Sequence, residues 1–221
     1  MTRQFALVLA LLAVLMIPAA ARADTVVLTD WTTGAFASNA AYGGGAFRAT
    51  TTGTLLGNSS FVTFCLEVNE YFSYGTQYNF TLSDAAVNGG VSGGSPDPVS
   101  DATRWLYYQV VSGGYALISA FGTSPGVGAR VQEAIWYLEG ERTQGQINAD
   151  AFSLASYATT NQNWGGLYAQ GNRVYAMNLT DQYGNRVQDQ LAYSSIAEPG
   201  SLLLLGSGLI VMATLVRRRR S

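Results

Sequence analysis

The 221-residue chain has no histidine and no lysine, and its one cysteine is Cys65. Without histidine there is no neutral-pH proton shuttle of the usual kind, so Ser-His-Asp and Cys-His catalytic pairs are excluded. Zinc sites built on histidine are excluded with them. A single cysteine leaves no internal disulfide, even in an oxidising compartment. Charge is sparse as well, at 12% of residues. Residues 24–196 carry thirteen acids against six arginines, a net charge of −7. A body of that sign is not a nucleic-acid binder by charge. Asp97 and Asp101 lack the spacing of an EF-hand loop.

What is present begins with a targeting signal over residues 1–23. Arg3 supplies a positive start, Phe5 to Ile17 is an unbroken apolar run, and Pro18 ends it. Ala21-Arg22-Ala23 then offers small residues for signal peptidase. Cleavage after Ala23 leaves Asp24 as the new N-terminus. At the other end, Leu202 to Val216 is apolar and Arg217, Arg218, Arg219 and Arg220 follow it. A helix over about 199–216 just reaches the length needed to cross a thin bilayer. Four arginines hold its end in the cytoplasm, which places the body outside. An exported, inner-membrane-anchored precursor is expected, delivered afterwards to the cell surface or extracellular matrix.

Residues 24–193 form one extracytoplasmic domain, long enough for a real core. The pattern predicts an α+β fold: a β-rich sandwich or barrel-like domain with a helical insert. Strands are expected at Thr25–Leu28, Phe61–Val68 and Tyr78–Leu82, with loops at 41–45, 53–58 and 89–98. Ser100 is placed to cap a helix starting at Asp101, which Gly113-Gly114 ends. Val131, Ala134, Ile135 and Leu138 recur at helical spacing and predict a helix over 129–139, ended by Gly140. A weaker helix covers 149–157. Val174–Leu179 and Arg186–Tyr193 read as a hairpin around the turn at 181–185.

Residues 194–221 carry a three-part signature. Ala197-Glu198-Pro199 is followed by the apolar segment and then by the basic tail of Arg217 to Arg220. This layout resembles the PEP-CTERM sorting signal, also catalogued as the ice-binding protein C-terminal domain. Ala197 stands where that pattern has its first proline. The resemblance implies an exosortase partner that cleaves near the tripeptide, and a biofilm- or exopolysaccharide-making bacterium.

Two short segments of the body carry the only candidate chemistry. Phe64-Cys65-Leu66-Glu67 lies on an expected strand, and Val131-Gln132-Glu133-Ala134-Ile135-Trp136 on an expected helix. Together they resemble the Cys–Gln thioester domains of bacterial surface adhesins. The resemblance implies that Cys65 sulfur and the Gln132 carbonyl join with loss of ammonia, giving an acyl group that an amine can capture. A thiolate is a strong nucleophile, whereas a carboxamide is a poor electrophile whose carbonyl must be polarised away from water. Gln132 is about 100° round the helix from Val131, at the border of the apolar stripe, and Trp136 is its i+4 neighbour and expected shield. The absence of lysine removes one class of self-quenching nucleophile.

The expected role is therefore non-enzymatic, with no cofactor and no metal: a surface or matrix protein that attaches covalently to an amine-bearing surface ligand. The alternative is a non-covalent exopolysaccharide or biofilm matrix component, with tyrosines lining a carbohydrate groove. A glycosidase pair among Glu67, Glu70, Glu133, Glu139 and Glu141 is the weakest reading, because acids near element ends are expected to be solvated.

Overall fold

A computed structural model describes residues 23–31, 43–122 and 126–195. The expected signal peptide through residue 22 and the sorting signal from residue 196 onward lie outside the described residues. Among the described residues no helix is long and apolar enough to cross a membrane.

The protein is a mixed α+β domain whose antiparallel sheet curls into a nearly closed barrel. Its strands are β1 (Thr25–Asp30), β2 (Phe47–Thr52), β3 (Ser60–Thr63), β4 (Gln77–Ser83), β7 (Asn172–Thr180) and β8 (Gln190–Ser195), in the order β3-β2-β1-β4-β7-β8. The short strands β5 (Ala85–Ala86) and β6 (Asp97–Pro98) pair separately. Register is fixed by period-two burial, because a slip of one residue would turn every apolar side chain to the wrong face. On β7, Val174 and Ala176 join one core cluster while Met177 and Leu179 join another. The first cluster lies under the helices; the second joins Val26, Leu28, Ala49, Tyr78, Phe80 and Ala192 across the curled sheet.

The helical insert contains α1 (Asp101–Val111), α2 (Tyr115–Ser119), α3 (Val127–Leu138), α4 (Ala149–Asn161) and α5 (Trp164–Ala169). Ser100 caps α1 as expected, its hydroxyl accepting the N–H of Thr103 at 3.2 Å. Asn148 caps α4 by accepting the N–H of Asp150 at 2.8 Å. Gly140, at φ +77°, takes the left-handed turn after α3 that a side chain would resist.

Closure of the barrel sets up the site. The chain leaves β2 after Thr63 and turns to β8 instead. Leu191 N–H donates to Phe64 O at 3.0 Å, and Leu66 N–H donates to Asp189 O at 3.1 Å. Cys65 and Gln190 face each other across this seam as an isolated antiparallel bridge. The expected strand over Phe61–Val68 is thus a correction in length: its second half is a seam, and β3 ends at Thr63. The expected strand over Arg186–Tyr193 is likewise shortened at its start, since β8 begins at Gln190.

Candidate functional site

Cys65 sits in the barrel seam and Gln132 comes down on it from α3. Cys65 is 2% exposed and Gln132 is fully buried. The placement of Gln132 at the edge of the apolar stripe is corrected, because α3 is covered on the polar side of its sequence pattern as well. The Gln132 amide brackets the main chain of Cys65. The Cys65 N–H donates to Gln132 Oε1 at 2.9 Å, and Gln132 Nε2 donates to Cys65 O at 2.8 Å. Residues 67 apart in sequence are therefore locked side by side. The sulfur has its own partner, with Gln190 Nε2 donating to Sγ at 3.4 Å.

Trp136, the expected shield, lies on α3 one turn beyond Gln132. It is buried and packs in one cluster with Phe47, Cys65, Val68 and Ala129. Its ring lies so close to Gly44 that a Cβ there would run into the indole and stand 3.0 Å from Gln132 Cγ. Gly44 is thus part of the site, and a run of three glycines at 43–45 in the sequence was its only signal.

Beside Cys65 a cavity of about 350 Å³ opens. Trp136, Glu70, Tyr71, Phe72 and Tyr74 line it together with Cys65. Phe72 packs edge-to-face on Phe47 at 5.0 Å between ring centroids and on Tyr74 at 5.4 Å, so the wall is rigid and aromatic. Tyr71 and Phe72 also border an open groove of about 550 Å³ with Tyr78, Asp181 and Tyr183. Tyr71 is 74% exposed and Tyr183 is 80% exposed.

The electrostatics of the site are dominated by buried acids, which corrects the expectation that they are solvated. Glu67, Glu133 and Glu141 are buried. Each of the last two is satisfied by main-chain donors: Glu133 accepts Asn148 N–H at 2.7 Å, and Glu141 accepts the N–H groups of Val68, Val91 and Ser92 at 2.8–3.0 Å. Glu139 accepts the Ser100 hydroxyl at 2.7 Å. All three carboxylates tie separate segments of the chain together. Asp97 pairs within β6 and Asp101 opens α1, so they serve different elements.

Glu67, Glu70 and Asp189 converge, with carboxylate oxygens within 4.8 Å of one another. Burial pushes Glu67 up to about 10, reinforced by the charges of Asp189, Glu70 and Glu141. It therefore keeps its proton at neutral pH. Asp189 is pushed up to about 6 by burial, opposed by the N–H groups of Val87 and Leu179 that its carboxylate accepts at 2.9 and 3.1 Å. Glu70 is also raised, chiefly by burial, with the Asn88 side chain, the Asp189 main chain and Arg186 opposing. Burial pushes the Cys65 thiol up to about 12, against the lowering effect of Gln190, and the charge of Glu67 adds to the rise. At neutral pH the sulfur is a protonated thiol.

The residues that sequence reasoning missed are Gly44, Glu70 in this role, and Gln190. Gln188-Asp189-Gln190, a polar triplet inside an expected strand, was the available signal. Comparison with protein-family models, with curated proteins and with solved structures returned no match.

Proposed function

We propose that this domain is an exported surface protein that attaches covalently to amine-bearing partners through an internal thioester between Cys65 and Gln132. One observation carries the reading: the Gln132 carboxamide is held, buried, against the cysteine, with its carbonyl oxygen accepting the Cys65 N–H at 2.9 Å. That donor sits where charge develops when sulfur attacks the carboxamide carbon, and a donor aimed at such an oxygen is the main aid to acyl transfer. The balance is simple. Sγ bonds to the Gln132 carbonyl carbon, the C–N bond breaks, and ammonia leaves with the thiol proton. An amine then attacks the same carbon, an amide forms, and Cys65 returns as a thiol.

Burial under Trp136 supports the reading. It excludes water, which would otherwise hydrolyse the acyl group. Among the described residues, the cavity beside Cys65 offers an approach. The C-terminal pattern supplies the setting: a PEP-CTERM-like signal handled by an exosortase, after signal peptidase has removed residues 1–23, delivers the domain to the cell surface or matrix. The basic tail fixes the body outside.

Labelled methylamine offered to the exported full-length protein tests the chemistry. It is expected to become fixed to the peptide carrying Gln132, and not to be fixed in Cys65→Ala. Label absent from that peptide, or unchanged in Cys65→Ala, contradicts the reading.

A second reading has its own support. The groove between Tyr71 and Tyr183, bordered by Asp181 and Gln77, presents aromatic faces and hydrogen-bonding groups of the kind that hold sugars. Non-covalent exopolysaccharide binding there predicts that Tyr71→Ala with Tyr183→Ala weakens retention on polysaccharide while Cys65→Ala does not.

A further inference from the structure

This inference rests on the thioester reading and adds the group that moves its protons. An amine attacking an acyl carbon must lose a proton, and the departing sulfur must gain one. The second need is acute here, since a thiol buried as Cys65 is makes a poor leaving thiolate. The chain has no histidine and no lysine to do this work. Among the described residues lining the cavity, only Cys65, Glu70, Tyr71 and Tyr74 carry titratable side chains. A phenol ordinarily holds its proton to about pH 10 and is no base near neutral pH. Glu70 is left.

Its position fits the task. It lines the same cavity as Cys65 and Trp136, half-buried, beside the buried pair. Its carboxylate is held from several sides. Glu67 and Asp189 converge on it within 4.8 Å, and Asn88, Arg186 and the Asp189 main chain also act on it. Glu141 adds negative charge. Behind it stand Glu67, which is protonated, and Asp189, whose carboxylate is fixed by the N–H groups of Val87 and Leu179. Above about pH 6 the Asp189 charge also favours an approaching ammonium over an anion.

We infer that Glu70 is the proton carrier of the site, taking a proton from the attacking amine and returning it to the Cys65 sulfur, directly or through one water. The atoms balance: the amine N–C bond forms, the C–S bond breaks, and one proton passes from nitrogen by way of the carboxylate to sulfur. No outside reactant is required. Burial raises the proton affinity of Glu70, and a carboxylate beside the reacting atoms can act first as general base and then as general acid.

Methylamine capture followed by intact mass tests this, at a fixed concentration of unprotonated methylamine for every pH. Wild type is expected to speed up as pH rises through the titration of Glu70 and then level off. Glu70→Gln is expected to carry the ammonia deficit yet react about 100-fold or more slowly, with the pH dependence flattened. Glu70→Asp, which keeps a carboxylate, is expected to restore the pH dependence and part of the rate. A purely structural role would leave the shape of the pH profile intact in Glu70→Gln. Capture by Glu70→Gln at the wild-type rate with the wild-type profile overturns the inference. If Glu70→Gln folds but never acquires the deficit while Glu70→Asp does, the same proton transfer extends to closure of the thioester. A wild-type protein of full mass is a different outcome, because it removes the thioester reading itself.

Discussion

At the scale of residues, function depends on a few contacts that admit no substitute. Gly44 is one: a side chain there collides with Trp136 and presses on Gln132. Gly44→Ala is expected to cost about 1–3 kcal/mol, the usual penalty of overpacking. It is also expected to lift the indole enough to admit water. Chemical denaturation measures the first effect, and the rate at which an acyl group is lost in plain buffer measures the second. The resemblance to thioester domains brought Cys65, Gln132 and Trp136 together in the sequence, and the Gln132 amide does lie against the Cys65 main chain. The sequence was silent on Gly44 and Gln190, whose importance comes from what the fold brings against them. A glycine run reads as a turn whether or not an indole lies on it. A glutamine reads as polar surface until a seam buries it.

At the scale of elements, helices were more legible than strands. The caps and apolar spacing of α1 and α3 are local, so Ser100, Val131, Ala134, Ile135 and Gly140 marked them in the sequence. The weaker α5 escaped because Gly165 and Gly166 fall in its first turn. The strands at the seam were misjudged in length, because partner exchange after Thr63 is a non-local event that no window of sequence records. β2 went unassigned between two glycine-rich stretches, although its alternating burial is plain once β1 and β3 flank it. Arg104 is the tie between these layers. From α1 its guanidinium donates to the main-chain oxygens of Val99, Asp84 and Val174, the first at 3.1 Å and the second at 2.6 Å. The nearby Asp84 carboxylate is largely exposed, so that ion pair adds little. Arg104→Leu leaves three carbonyls without their donor and is expected to cost at least about 2 kcal/mol. Arg104→Lys is expected to recover only part of this, since an ammonium lacks the planar fork. Urea unfolding of the two variants checks the order.

At the scale of the whole molecule, the domain stores acid groups in its interior, and stability must follow pH accordingly. Asp189 rises from 3.8 to about 6 and Glu67 from 4.5 to about 10. Both are raised, so the folded state holds their protons more tightly than the unfolded chain does. Their contribution is complete below about pH 4 and is lost as pH climbs, through about 6 for Asp189 and then about 10 for Glu67. The slope reaches at most about 1.4 kcal/mol per pH unit for each group. Unfolding free energy is therefore expected to fall between about pH 5 and pH 9, and Glu67→Gln is expected to flatten the alkaline part of that fall. A stability that rises over this range contradicts the assignment. The α+β class and the barrel-like alternative were legible from composition and period; the closure that joins residue 65 to residue 190 was not, and it is this closure that builds the site.

The central claim is that one covalent bond joins α3 to the seam. Intact mass of the exported protein, taken under denaturing acid conditions that preserve thioesters, tests it most directly. The account predicts a mass one ammonia below that of the encoded chain, restored to the full value expected for each variant in Cys65→Ala and in Gln132→Ala. A wild-type protein of full mass, with a Cys65 thiol that alkylates once unfolded, contradicts it.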